Sequence, residues 1–540
     1  MRFSFICKAL IIALIAAPAL LSPVGCAKSG TPEGGPRDTI PPVVVRTVPE
    51  NYSVNFDADE IRIYFDEYVR LNNPTRQMVV SPPFDNPPDI TPIGSAKFIR
   101  IKINDTLKPN TTYAINFGKS IADNNEGNEY PYFRYVFSTG TYIDSLTVSG
   151  RVKDAFLRQP EEDLTVMLYQ INEAYKDSVV FLEKPYYIAN VVDSTSGFLL
   201  ENLKAGKYLL TAMKDSNFNY TFEPEQDKIG YYNEFIEIPT DSTYELSVYK
   251  EDLDYIIERP VQVTAGQVLF GYRGIADSLK ISIMDSPMDN LELRQTKDQE
   301  RDSIRVWLRP KVEADSLQFL AYNESYLDTL VLRWREFNKD TLNVRAENPG
   351  RADFDQIFAL KSETPIDSIK TELIKITNKD SMQIGFDYKI DQLYNRVEFP
   401  FEYGEDETYN IEMLPGAITD YFGNKNDTLN YRVNTQTYAD YGTLTVNLTN
   451  VPEHPLIVEL IKSNDELDDS VFLSEYRPVK FEYISPGEYF IRVIFDANGN
   501  GRWDPGNFLR REEPEKVFYL EGPIEMNSNW IREANTRLPD

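Results

Sequence analysis

The sequence predicts an all-β protein built from tandem β-sandwich domains, and three observations carry that prediction. The first is period-two alternation along nearly the whole length, which puts one face of a strand in a core and the other in water. Ile99, Ile101 and Ile103 alternate with Arg100 and Lys102; Leu279, Ile281 and Ile283 with Lys280 and Ser282; Leu444, Val446 and Leu448 with Thr445 and Asn447. The second is the regular recurrence of turn chemistry such as Asp123-Asn124-Asn125-Glu126-Gly127 and Ser485-Pro486-Gly487 between these runs, at the spacing of sandwich strands. The third is an internal duplication. Helical periodicity is scarce, and residues 371–377 are the nearest approach to it.

The duplication has two parts in a fixed order. Thr112-Tyr113-Ala114-Ile115, followed by Ile121, Asp123, Gly127 and Asn128, matches Thr408-Tyr409-Asn410-Ile411, followed by Ile418, Asp420, Gly423 and Asn424. Ala205-Gly206-Lys207-Tyr208, leading to Asp215, Asn217 and Asn219, matches Pro486-Gly487-Glu488-Tyr489, leading to Asp496, Asn498 and Asn500. Between the halves, strands such as Ile304-Arg305-Val306-Trp307-Leu308 belong to a β-rich stretch without a partner.

Composition narrows the function. With 540 residues, domains of roughly 100 to 200 residues would number about three to five. Asp and Glu total 85 against 56 Lys and Arg, a formal charge of -29, which argues against nucleic acid as a partner. One histidine, His454, lies in the Pro-bounded turn Pro452-Glu453-His454-Pro455, so the commonest general base and metal ligand is almost absent. Phosphate loops and H-E-x-x-H or C-x-x-C spacings are missing. Acidic pairs such as Glu161-Glu162-Asp163, Asp465-Glu466 with Asp468-Asp469, and Glu512-Glu513 read as solvated loops rather than as the spaced carboxylates of a glycosidase.

The amino terminus reads as an export signal over residues 1–25, with Arg2 and Lys8 before an apolar run at residues 9–21 that falls short of the about 20 residues a membrane-spanning helix needs. Ala17-Pro18-Ala19 offers an ordinary cleavage site. Pro23-Val24-Gly25-Cys26 resembles a lipoprotein lipobox, with Pro23 in place of the usual aliphatic residue, and it is the preferred reading. Cys26 is then the lipidation site and the sole cysteine of the mature chain, and residues 26–37 form a Gly/Pro-rich tether. Loss of Arg2 and Lys8 takes the charge from -29 to -31, so the acyl chains, not the polypeptide, would hold the protein to the outer membrane. Ala27-Lys28-Ser29-Gly30 has no acidic residue, which points to the periplasmic face rather than the cell surface.

Asp38-Thr39-Ile40-Pro41-Pro42, the run from Ile61 to Phe65 with Asp66-Glu67, and Leu107-Lys108-Pro109-Asn110-Thr111-Thr112-Tyr113 resemble the bacterial Ig-like domain, which closes with a Thr-x-Tyr and Asp-x-x-Gly-Asn segment. Residues 38–142 are assigned to it, and 339–438, which keep the closing segment, to a second such unit. Residues 143–258 and 439–540 resemble transthyretin-like or carboxypeptidase-regulatory-like sandwiches, and 259–338 form the unpartnered β-rich domain. The whole resembles Ig-like-domain lipoproteins of the Bacteroidetes type. That resemblance implies spacers, adhesive modules and assembly scaffolds.

Two candidate sites remain. In Asp496-Ala497-Asn498-Gly499-Asn500-Gly501-Arg502-Trp503-Asp504 the spacing of Asp496, Asn498, Asn500, the Arg502 carbonyl and Asp504 reproduces the first nine positions of a calcium loop. Asn507 stands where the closing Glu belongs, with Glu512 or Glu513 as substitutes if the chain folds back. The competing reading is an Asn/Gly turn that caps its own backbone. The parallel loop from Asp215 to Asn219 has Tyr220 where glycine is wanted and reads as a turn. The second candidate is aromatic. Trp334, Trp503 and Trp530, with the tyrosine clusters at residues 130–135 and 231–235, would serve as platforms if the chain were instead a surface glycan-binding lipoprotein of a polysaccharide-uptake system. The expectation is a non-enzymatic, lipid-anchored cell-envelope scaffold or protein-interaction module with an envelope partner. An enzyme with a site assembled from carboxylates across domains is the third reading.

Overall fold

The computed structural model describes residues 38–539 apart from 193–194, 254, 275–277, 299–300, 324–325 and 454. Cys26 and the export signal therefore lie outside the described residues, as does His454. Among the described residues the chain forms five β-sandwiches in sequence. Alternation decides which faces are inside: Ile99 and Ile101 are buried, while Arg100 and Lys102 on the same strand turn outward. Residues 371–377 are a single 3-10 turn, Thr371–Leu373, followed by the strand Ile374–Thr377, because β-branched Ile374 and Ile376 are needed on the inner face of a sheet.

The duplication seen in sequence is a duplication of topology. In the first sandwich Val44–Val48, Glu60–Leu71, Ser95–Lys102 and Asp89–Thr91 lie side by side in that order, opposite Val79–Ser81, Thr112–Asn116 and Arg134–Ser138. The fourth repeats the order with Val344–Ala346, Phe358–Ser362, Arg396–Phe399 and Lys389–Asp391, opposite Ile374–Thr377, Thr408–Met413 and Leu429–Asn434. The second places Tyr187–Asn190, Leu164–Gln170, Gly206–Lys214 and Lys228–Tyr231 over Gly197–Leu203, Leu146–Asp154 and Thr243–Val248, the last pair parallel. The fifth copies it with Leu467–Leu473, Leu456–Lys462, Gly487–Phe495 and Val517–Tyr519 over Val479–Ile484, Gly442–Thr449 and Ile531–Arg537, again with a parallel last pair. Each core draws on both sheets; in the fifth, Leu444 and Val446 meet Val458, Ile491 and Val493. The third sandwich pairs Gln267–Arg273, Ser303–Arg309 and Glu292–Lys297 in one sheet and Lys280–Ile283, Ser316–Tyr322 and Leu327–Arg333 in the other.

The five units do not trail out in a line. The first abuts the second, where Lys184 Nζ donates to the Phe84 carbonyl (2.8 Å) and Asn190 Nδ2 to that of Gln77 (3.0 Å). An ion pair between Arg273 and Glu225 joins the second to the third. Between third and fourth, the Arg309 guanidinium lies 4.0 Å over the Tyr421 ring and donates to its carbonyl (2.6 Å). Phe354 of the fourth packs between Tyr438 and Tyr483 at 4.3 and 5.2 Å, leading into the fifth. The fifth then returns to the second: Phe508, fully buried, meets Tyr231 edge-on at 5.4 Å, and its N–H donates to the Glu251 carboxylate 257 residues away. Arg492 lies 3.9 Å over Phe156 and Arg158 3.8 Å over Phe490, an exchange of cations between the same two units. The second to fifth sandwiches thus form a closed circuit, with the first attached outside it.

Phe508→Ala is expected to destabilise the chain by about 3–5 kcal/mol, the usual cost of truncating a fully buried phenylalanine. The comparison is Leu467→Ala, at a half-exposed position on an edge strand, which should change little. Urea unfolding of both variants checks the contrast.

Candidate functional site

The segment that closes the circuit is also the segment with the calcium-like spacing. It leaves the strand Gly487–Phe495 at Asp496, whose side chain is wholly buried. A buried carboxylate needs donors, and the following turn supplies them from its own backbone. Gly499 N–H donates to Asp496 Oδ1 (2.7 Å), as does Asn500 N–H (3.1 Å), and Gly501 N–H donates to Oδ2 (2.8 Å). The chain can curl this tightly because Gly499 and Gly501 take φ of +72° and +79°. Across the turn, Asn498 Nδ2 and Asn500 Nδ2 donate to Asp504 Oδ2, the second at 2.7 Å.

Glu515 closes the loop, and the sequence reading did not find it. Its carboxylate accepts the N–H groups of Ala497 (2.8 Å) and Asp504 (3.1 Å), and its carbonyl accepts Trp503 Nε1 (3.0 Å). Burial, with Asp504 and Asp496 nearby, holds its carboxyl above the usual range against those two donors. Glu512, named from sequence as a substitute ligand, instead pairs through its backbone with Asn507 and through its side chain with Arg510. The distance of Glu515 from Asp496 in sequence, with a hairpin-like excursion between them, is why spacing alone could not select it.

The hydrogen bonds decide what the loop can hold as it stands. The amide nitrogens of Asn498 and Asn500, not their oxygens, face Asp504, and their oxygens accept the N–H groups of Asn500 and Arg502 at 3.0 Å each. Among the described residues no group of three His, Cys, Asp or Glu side chains is placed to hold a metal ion. For Asp496, Asn498, Asn500, the Arg502 carbonyl and Asp504 to surround calcium, both amides must turn over. What the loop does in its present form is position residues 503–511: Trp503 packs 4.8 Å from Phe156, Phe508 enters the second sandwich, and Arg511 Nη2 donates to Asp177 (2.6 Å).

The same device recurs at the other duplicated turns. Asp215 accepts Asn217 and Tyr220 N–H groups, with Asp227 in the supporting place of Glu515, receiving Ser216 and Glu223 N–H groups at 2.9 Å. Asp123 accepts four consecutive N–H groups, Asn125 to Asn128, within 2.7–3.0 Å. Burial alone would push its carboxyl up, but the four donors outweigh it and hold it below the usual aspartate range. Asp420 accepts Phe422 and Asn424 N–H groups and the Thr364 hydroxyl.

The aromatic candidates separate. Trp334 is buried in the third core and Trp503 is half-buried against Phe156, so neither is an open platform; packing between strands and between units outcompetes exposure. Trp530 keeps 42% of its surface, with Arg532 over its ring at 5.6 Å. Tyr135 and Tyr231 are buried, Tyr130 and Phe133 line the first core, and Tyr132 is exposed. The acidic runs are ion-paired: Glu161 meets Lys214 and Lys228, Asp163 meets Arg76, and Asp465 meets Arg158.

Residues 38–139 match the family model of the bacterial Ig-like domain. Within that domain, the Asp123 turn is the closing segment described above. No curated protein matches the sequence. Among solved structures the chain is similar to surface layer protein SbsC, domains 1-6, at 10% identity and TM-score 0.16, covering 90% of this chain and 67% of that one. It is also similar to the titin domains z1z2 in complex with telethonin, at 11% identity and TM-score 0.13, covering 34% of this chain and 95% of that one. No helix among the described residues is long and apolar enough to cross a membrane.

Two outcomes are expected here. Asp496→Ala removes the charged acceptor of three N–H groups on exposed turn residues, which water can then reach, and should cost about 1–3 kcal/mol in all, with new protease cleavage within residues 503–511. Because the present hydrogen bonds satisfy the loop internally, millimolar calcium should leave the melting temperature unchanged; a rise abolished by Asp504→Asn would show the amides turning over onto an ion. Separately, the depressed Asp123 carboxyl stabilises the folded state in its ionised form. That contribution is full above the ordinary aspartate value of about 3.9 and is lost as the pH falls through the lower folded value. Asp123→Asn should flatten the acid limb of a melting-temperature profile.

Proposed function

We propose that this chain is a non-enzymatic, lipid-anchored scaffold of the cell envelope that presents a rigid multi-sandwich surface to an envelope protein. The observation that carries the reading is the closed circuit: four sandwiches meet in turn through an exposed ion pair between second and third, cation–ring and aromatic contacts between third, fourth and fifth, and the buried Phe508 between fifth and second, so that each unit is held on two sides. A spacer needs only reach, and an extended row of units would supply it. Fixed geometry between distant faces is what a scaffold requires. Acyl chains on Cys26, with the Gly/Pro-rich tether before Asp38, would hold the body at the outer membrane, and the non-acidic residues after Cys26 favour its periplasmic side.

Metabolic labelling with a lipid precursor should mark the wild-type chain and leave Cys26→Ala unlabelled; label that survives the substitution removes the anchor from this account. Protease added to intact cells should leave the protein whole until the outer membrane is permeabilised. Cleavage from outside would move it to the surface.

A further inference from the structure

The junction of the third and fourth sandwiches contains a cleft of about 220 Å³ whose wall is basic. Arg301 and Arg305 come from the third sandwich, and Arg345 and Lys361 from the fourth; Asp298 and Glu363 are the acids that line it. A gathering of four cations around two acids runs against a chain whose acids outnumber its bases 85 to 56.

The register places like charges side by side. Arg345 is directly opposite Lys361 on the neighbouring strand, and Lys361 is directly opposite Arg396 on the next, so three cations stand in one cross-strand row on one face of the sheet. Like charges placed opposite one another in a sheet repel. Arg396 is relieved by Glu347 and Glu398. No described ion pair includes Arg345 or Lys361, and of the two cleft-lining arginines of the third sandwich Arg305 is matched by Asp298 at 2.5 Å. The neighbouring arginines of the same junction are used differently. Arg309 donates to the Tyr421 carbonyl and Arg294 to that of Ile366 (3.0 Å), so the two units are already held together without the cleft cations.

We propose that this cleft binds a phosphate or sulfate group, whose several charged oxygens would neutralise Arg345 and Lys361 from one side and Arg301 from the other, beside the Arg305–Asp298 pair. The proposal is independent of the membrane anchor: it concerns the body of the protein and survives if Cys26 carries no lipid.

The test is the melting temperature and calorimetric titration of the mature chain with inorganic phosphate, inorganic sulfate and glycerol phosphate, each against sodium chloride at equal ionic strength. Phosphate should raise the melting temperature above the chloride control. The combined change Arg345→Gln and Lys361→Gln should weaken that binding by at least ~10-fold, the loss expected when charged hydrogen bonds are removed. In the absence of the anion the same variant should melt no lower than wild type, because it relieves like-charge repulsion; a merely structural pair would lose stability. An equal response to glycerol phosphate would identify a phosphate carried on a headgroup or polymer, and a response confined to inorganic phosphate or sulfate would identify the free ion. A shift no larger than chloride gives, or one unchanged in the double variant, overturns the proposal.

Discussion

The insertion of Phe508 into the second sandwich is the contact on which the arrangement of the other units depends. Neighbouring units in a chain meet because they are tethered; the second and fifth meet across two intervening sandwiches and have only their own surfaces to hold them. Bringing such distant segments together costs chain entropy that grows slowly with the length enclosed. The opposing terms are local and strong: burial of a whole aromatic side chain, a carboxylate of Glu251 receiving its N–H, and reciprocal stacking of Arg492 on Phe156 and Arg158 on Phe490. Arginine suits these positions because its planar, weakly hydrated cation loses little on leaving water for a ring face.

The turn before Phe508 shows how a polar motif can act through packing. Asp496 gathers backbone donors, Glu515 ties the return strand to the same turn, and the excursion between them is thereby aimed at the second sandwich. Asp123, Asp215 and Asp420 organise their own turns by the same physics, so a buried aspartate ringed by N–H groups is this protein's repeated solution for ending a strand.

Much of this was legible in the residues. Strand faces followed from alternation, since Ile99, Ile101, Leu444 and Val446 can only be inward together. The duplicated segments foretold repeated topology, because similar turn chemistry in the same order along the chain favours the same strand order. The scarcity of helical periodicity held even at its nearest case, residues 371–377, where a single 3-10 turn gives way to a strand that puts Ile374 and Ile376 into the core. The partners of the Asp496 loop were not legible: Glu515 is brought in by a fold-back, and Phe508 lies in a stretch of Gly, Asn, Arg and Glu that reads as solvent-exposed turn until the second sandwich is placed against it. Trp503, offered as an open platform, is covered for the same reason, by Phe156 of the second sandwich, whereas Trp334 is taken into the core of its own unit.

The first sandwich stands outside the circuit, and the chain enters through it. Any pull or torque arriving along the segment before Asp38 reaches the rest of the molecule through the seam of the first and second sandwiches, where Arg134 meets Glu201, Lys184 meets Phe84, Asn190 meets Gln77 and Arg76 meets Asp163. That junction is a packed seam and not a loose hinge: Val79 of the first sandwich is buried among Met167, Ile188 and Leu209 of the second, and the Ile188 N–H donates to Ser81 Oγ, so a load entering through the first unit is passed to the second over an area and not at a point.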